Sequence, residues 1–193
     1  MKKFLALLLL PFTLCADLVL LDTLDFDIDD SLSFTRNHRT TTDHDYYYNL
    51  ISFTVDTQGQ YRADNTLITS HSTFNYGENH TGLLNRADTF IYLYENSFDP
   101  EQPSLNLIAF DDDGYNGPND NGVQFSLSHT LQPDKTYYSV ITTYNAEDQI
   151  AGEIEIYGPN GASWAYTIIP EPATYGLIMS GSLLILLLRK RHV

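Results

Sequence analysis

Apolar and polar side chains alternate with a period of two through most of the chain between Asp17 and Ile169, the pattern of strands with one buried face. Leu24-Asp25-Phe26-Asp27-Ile28-Asp29 is the clearest case: on a strand, Leu24, Phe26 and Ile28 share one face and three carboxylates the other. Ser31 to Thr35 continues it beyond a turn at Asp29-Asp30. Tyr46 to Val55 reads as a longer strand, and Asp56-Thr57-Gln58-Gly59 as a turn into Gln60 to Asn65, which predicts a β-hairpin. Leu67 to Phe74 extends or follows that second strand. Thr89 to Tyr94, Leu105 to Phe110, Val123 to Leu131, Thr136 to Tyr144 and Gly152 to Tyr157 complete the set. Arg36 to Asp45, Asn75 to Arg86, Asn96 to Pro103 and Tyr115 to Gly122 read as loops, and Asn145 to Ile150 as a turn. No stretch carries the three-to-four repeat of an amphipathic helix. About eight strands spaced this way predict an all-β, two-sheet β-sandwich.

The two ends break the pattern. Met1-Lys2-Lys3, an apolar segment from Phe4 to Leu14 and the small-residue exit Cys15-Ala16 have the layout of a secretory signal peptide helix over residues 1–16. Cleavage after Ala16 is expected, although Leu14 is bulky where a small residue is preferred; the same Leu14 disfavours a lipoprotein reading through Cys15. At the other end, Pro172 to Leu188 gives 17 residues without a formal charge, the lower limit for a transmembrane helix of roughly 17 to 25 residues. Arg189-Lys190-Arg191 follows at once. Basic flanks stay on the cytoplasmic side, so the domain before Pro170 is expected outside the membrane. The alternative is a C-terminal core helix. The chain thus divides into 1–16, a β-domain at 17–169 and a tail at 170–193.

Pro170-Glu171-Pro172, then Tyr175 and Gly176, a short apolar run and the Arg189-Lys190-Arg191 cluster together resemble the PEP-CTERM sorting signal of surface-exported bacterial proteins. The resemblance implies a partner, a membrane-embedded exosortase, with cleavage near the Pro-Glu-Pro motif. Before that processing the protein is anchored in the inner membrane; after it, the cell surface or the extracellular matrix is the expected location.

Charge narrows the functional classes. Five of the ten Lys and Arg lie in the two ends but only one of the 25 acids does, which leaves 5 cations against 24 acids, net −19, between them. Such a domain repels nucleic-acid phosphates and anionic lipid, so no nucleic-acid role is expected, while cations remain plausible partners. For the charge taken alone, acidity that keeps an exported protein soluble is the preferred account. With no cysteine between Asp17 and Ile169, packing, hydrogen bonding or bound metal must hold the domain in place of disulfides.

Tyr48 to Val55, the turn at Gly59 and Tyr61, Asp88 to Tyr94, Asp111-Asp112-Asp113-Gly114 and Lys135 to Val140 resemble the bacterial pre-peptidase C-terminal domain across about Tyr46 to Tyr157. That resemblance implies a jelly-roll-like β-sandwich, non-catalytic, with relatives that bind calcium and extracellular polymers. No peptidase domain precedes the module here, so an accessory role to a protease is not implied.

Candidate chemistry centres on the acidic loop. Asp111, Asp112 and Asp113 follow a strand and precede Gly114, with Asn116, Asn119, Asp120 and Asn121 nearby. Ca2+ takes six to eight oxygen ligands, and this loop concentrates them. It is no EF-hand, since Tyr115 stands at the fifth loop position and Gly122 at the twelfth. The alternative is a solvated turn in which Asp side chains satisfy loop amides. Asp25, Asp27, Asp29 and Asp30 form a second acidic cluster, read as a hydrated strand edge or as a cation seat.

Fourteen Tyr and ten Phe supply cross-strand pairs, and Tyr46, Tyr47 and Tyr115 are taken as exposed rings able to stack on sugars, Tyr115 most of all. No Gly-x-Ser-x-Gly, His-Glu-x-x-His or cysteine-based site occurs, and His38, His44, His71, His80 and His129 are scattered, so no enzyme is expected. The functional expectation is an exported non-catalytic surface or matrix protein associated with exopolysaccharide. Its alternatives are a calcium-dependent polysaccharide- or protein-binding module and, behind that, a secreted hydrolase.

Overall fold

A computed structural model describes residues 17–28, 32–34, 46–72, 88–118, 122–144 and 148–169. The expected signal peptide and tail helix lie outside the described residues, and among those described no helix is long and apolar enough to cross a membrane. Every regular element described is a strand: β1 (Leu18–Ile28), β2 (Ser33–Phe34), β3 (Tyr46–Val55), β4 (Gly59–Ser72), β5 (Thr89–Glu95), β6 (Leu107–Asp111), β7 (Ser126–Leu131), β8 (Tyr137–Thr143), β9 (Gln149–Pro159) and β10 (Trp164–Ile168). They form two antiparallel sheets, one in the order β1-β9-β4-β7 and one in the order β10-β3-β8-β5-β6, with β2 paired to β3.

Alternation decides what lies between the sheets. Leu24, Phe26 and Ile28 of β1, with Ile68, Ile150 and Ile154, meet Ile51, Ile91 and Ile141 of the opposite sheet around Phe125. Each such side chain contributes about 1.5–3 kcal/mol by leaving water. Asp25 and Asp27 point out and are exposed, as the alternation requires, and β1 is an edge strand.

The six-stranded sheet is buried on its other face as well. Phe34, Tyr46, Tyr48, Phe90, Tyr92, Tyr94 and Val140 form a second cluster there, with Phe98 packed against it. Phe34 meets Tyr48, Tyr92 and Phe98 edge to face at 5.4, 6.1 and 5.9 Å, the geometry that the ring quadrupoles favour. Tyr46, taken from sequence as an exposed ring, is therefore only 3% exposed. Tyr47 is half-buried.

The expected hairpin does not form. β3 belongs to the six-stranded sheet and β4 to the four-stranded one, so residues 56–58 cross between sheets. Two contacts hold that crossing. The Asp56 carboxylate accepts the Ser163 N–H at 2.9 Å and its hydroxyl at 2.6 Å, and Gly59 lies so close to the end of β9 that a Cβ there would stand 2.4 Å from Pro159 Cγ. β10 is not among the strands expected from sequence, although Trp164, Tyr166 and Ile168 alternate along it; four of its five residues are exposed.

Candidate functional site

β4 and β9 run side by side with Arg62 opposite Tyr157 and Asp64 opposite Glu155. Ile154 and Ile156 pack toward the core, so the period of two turns Arg62, Asp64, Glu153, Glu155 and Tyr157 to the outer face of the four-stranded sheet. There the guanidinium carbon of Arg62 lies 4.5 Å from the centre of the Tyr157 ring, within cation–π range. Its Nε is 2.9 Å from Asp64 Oδ2, an ion contact in which the N–H points away from the line between the atoms. The buried Asp64 accepts the Ser126 hydroxyl at 2.6 Å. Burial raises the Asp64 carboxyl, and the negative Glu155 adds to this, while the Ser126 hydroxyl and Arg62 oppose it. The Tyr157 hydroxyl donates to Glu155 Oε2; that bond, then burial and the neighbouring carboxylates, push the phenol up to about 12.

The acidic loop forms the roof. Leaving β6, the chain turns on Asp111, whose Oδ2 accepts the N–H groups of Gly114 at 3.0 Å and Ser126 at 2.8 Å. Asp112 Oδ1 accepts the Asp113 N–H at 3.1 Å. The Asp113 carboxyl is raised, first by partial burial and then by the charges of Asp112 and Asp111. Tyr115 donates its N–H to the Gln124 carbonyl at 2.9 Å and its hydroxyl to the Pro118 carbonyl at 3.1 Å. Its ring folds onto its own loop only because residue 117 is glycine: a Cβ there would stand 2.3 Å from the Tyr115 hydroxyl oxygen.

Between roof and sheet lies a groove of about 600 Å³, lined by Tyr115, Asn116 and Pro118 from the loop and by Arg62, Glu153 and Tyr157 from the strands, among others.

Tyr115 and Asn116 therefore line one groove, whereas Asp111 Oδ2 turns to the amides of Gly114 and Ser126. Asp120 lies outside the described residues, as do Pro170, Glu171, Pro172, Arg189, Lys190 and Arg191. Among the described residues no group of three or more His, Cys, Asp or Glu is placed to hold a metal ion. Sequence reasoning missed Arg62, Asp64, Glu153, Glu155 and Tyr157. Their signal was the alternation Arg62-x-Asp64 and Glu153-x-Glu155-x-Tyr157, which marks two outward faces but not their adjacency.

Among models of known protein families and among curated proteins, nothing matches the chain.

Proposed function

We propose that the chain is an exported, non-catalytic surface or matrix protein, sorted through its C-terminal signal and associated with exopolysaccharide. The observation that carries this is the order of parts in the tail: Pro170-Glu171-Pro172, an uncharged run to Leu188, then Arg189-Lys190-Arg191. The signal peptide at residues 1–16 delivers the sandwich across the inner membrane, the apolar run holds it there, and an exosortase-type enzyme releases it near the Pro-Glu-Pro motif. The position of β10 favours such a layout, since the Ile169 N–H donates to the Leu50 carbonyl at 2.9 Å, immediately before Pro170. A jelly-roll-like winding of the sandwich belongs to the same proposal. It is supported by the strand orders: with β2 and β10 set aside, β1-β9-β4-β7 and β3-β8-β5-β6 each interleave early and late strands, as two Greek keys do.

Mass spectrometry of the mature protein from its own host tests the sorting. A C-terminus near residues 170–172 is expected; an intact chain ending at Val193 in the secreted fraction would overturn it.

A calcium-dependent binding module is the second reading, favoured by the run Asp111-Asp112-Asp113 on one loop; burial first, then the charges of Asp112 and Asp111, raise the Asp113 carboxyl. A cation there would relieve the repulsion. Calcium titration followed by thermal melting decides it, since a ligand that binds the native state raises the midpoint; an unchanged midpoint in excess calcium removes this reading.

A further inference from the structure

We propose that the groove beneath the 111–118 loop binds an amine-bearing glycan, a chain of hexosamine units carrying protonated amino groups. This deepens the polysaccharide part of the proposed function and rests on it, while being independent of the sorting signal.

Four observations lead to that ligand. The groove, at about 600 Å³, falls within the roughly 300–1,000 Å³ of ordinary ligand sites and has room for a short oligosaccharide. Its walls bear Asp64, Glu153 and Glu155 against a single cation among the described lining residues, Arg62. Arg62 and Asp64 engage each other, with the Tyr157 ring on the other side of the guanidinium, which leaves Glu153 and Glu155 as the net negative charge that the groove presents to a ligand. The exposed Asp25 of β1 stands opposite Glu153 and continues that charge along the sheet. Finally, Tyr115 lines the loop wall and Tyr157 the sheet wall, the latter with Arg62 over one face of its ring.

Protonated amines meet all of these features. Carboxylates accept charge-assisted hydrogen bonds from ammonium groups, and tyrosine faces attract both the ammonium and the apolar face of a pyranose ring. A neutral glycan gains the stacking and hydroxyl hydrogen bonds to the carboxylates but not the charge attraction, and an anionic one is repelled. Preorganisation favours binding as well. Asp111 ties the loop to Ser126 and the Pro118 carbonyl fixes Tyr115, so little order must be imposed when the ligand arrives.

The test is calorimetric titration of the full chain in detergent with a glucosamine pentamer, its N-acetylated counterpart, an alginate oligomer and a lysine pentapeptide. The glucosamine pentamer is expected to bind tightest, with affinity falling as salt rises. Glu153→Gln with Glu155→Gln should weaken it about tenfold or more at an unchanged melting midpoint. Asp99→Asn with Glu101→Gln removes the same charge from the β5–β6 loop and should change it less than about twofold. Tyr115→Ala should weaken it, and Tyr115→Phe, which keeps the ring but loses the tether to the Pro118 carbonyl, should weaken it less. Equal weakening by the two charge pairs would reduce the effect to net charge and overturn the groove. Equal binding of the lysine pentapeptide would replace the glycan by a cationic peptide, which also overturns the proposal. Tighter binding of the acetylated or alginate oligomer, unmoved by Glu153→Gln with Glu155→Gln, overturns the groove but leaves polysaccharide association standing. Binding of none of the three sugars overturns both.

Discussion

The hydroxyl of Thr89, on β5, donates to Oδ1 of Asn65, on β4, at 2.9 Å, a buried hydrogen bond that joins the two sheets through the core. Asn65 is fully buried and uses its whole amide: Nδ2 donates to the carbonyls of Leu67 at 3.2 Å and Glu153 at 3.0 Å. It sits where the β4–β9 register shifts between Asn65 and Leu67, so its side chain satisfies backbone groups that the bulge takes out of the ladder. Its own backbone accepts from Gln124 Nε2 at 3.1 Å and donates to the Phe125 carbonyl at 3.1 Å, which ties the segment before β7 to the same point.

Asn65→Leu should therefore be among the most damaging single changes in the sandwich. It orphans two carbonyls and a hydroxyl in the core, at about 1–3 kcal/mol for each buried group left unmatched. Urea denaturation should show a loss of at least about 3 kcal/mol, and Thr89→Val a loss of about 1 kcal/mol. A double-mutant cycle should return a coupling near 1 kcal/mol; independent effects would refute the bond between the sheets.

Two carboxyls should give pH dependences of opposite sign. Asp56 is held below its ordinary range by the Ser163 hydroxyl first, then by the Ser163 N–H and the Thr57 hydroxyl. Its contribution is present above the unfolded value of about 3.9 and is lost as pH falls through the lower folded value. Asp64 is raised, chiefly by burial. Its contribution is full below about 3.9 and is lost as pH rises through the higher folded value. Urea midpoints between about pH 2 and 7 should change accordingly: Asp56→Asn removes part of the loss on acidification, and Asp64→Asn removes part of the loss on returning to neutrality.

Tyr94 is fully buried and donates its hydroxyl to the Pro103 carbonyl at 2.9 Å. Tyr94→Phe keeps the ring contact with Phe98, whose centre is 4.9 Å away, but strands that carbonyl. A loss of about 1–2 kcal/mol is expected, together with earlier proteolysis in the loop between β5 and β6. An unchanged proteolysis pattern would show that the loop does not depend on this bond.

Gly152 tests the close approach of β9 to its neighbours. A Cβ there would lie 2.3 Å from the Leu67 carbonyl oxygen and 3.0 Å from the Phe26 ring. The first obstacle is backbone and cannot rotate away. Gly152→Ala should cost at least about 1–3 kcal/mol as an overpacked core position, measured by thermal melting against Ala151→Gly, where the larger group is removed rather than added.

Local alternation was readable without knowing any partner. Leu24, Phe26 and Ile28 on one face, and the strand character of Tyr46 to Val55 and Thr89 to Tyr94, follow from the period of two alone, because a strand's two faces are fixed by its backbone. The all-β class follows from the same repetition. The partner of each strand is a different matter. Residues 56–59 read as a hairpin turn, yet they cross between sheets, held by contacts with Ser163 and Pro159, about a hundred positions away. Burial of Tyr46, Tyr48, Tyr92 and Tyr94 depends likewise on Phe34 and Phe98 lying across the outer face of their sheet. The groove is the furthest from the sequence: Arg62 and Asp64 meet Glu155 and Tyr157 only through β4–β9 pairing, under a loop from a third region of the chain. Alternation is a property of neighbours along the chain, and a groove built across strands is a property of register, which packing of the whole sandwich sets.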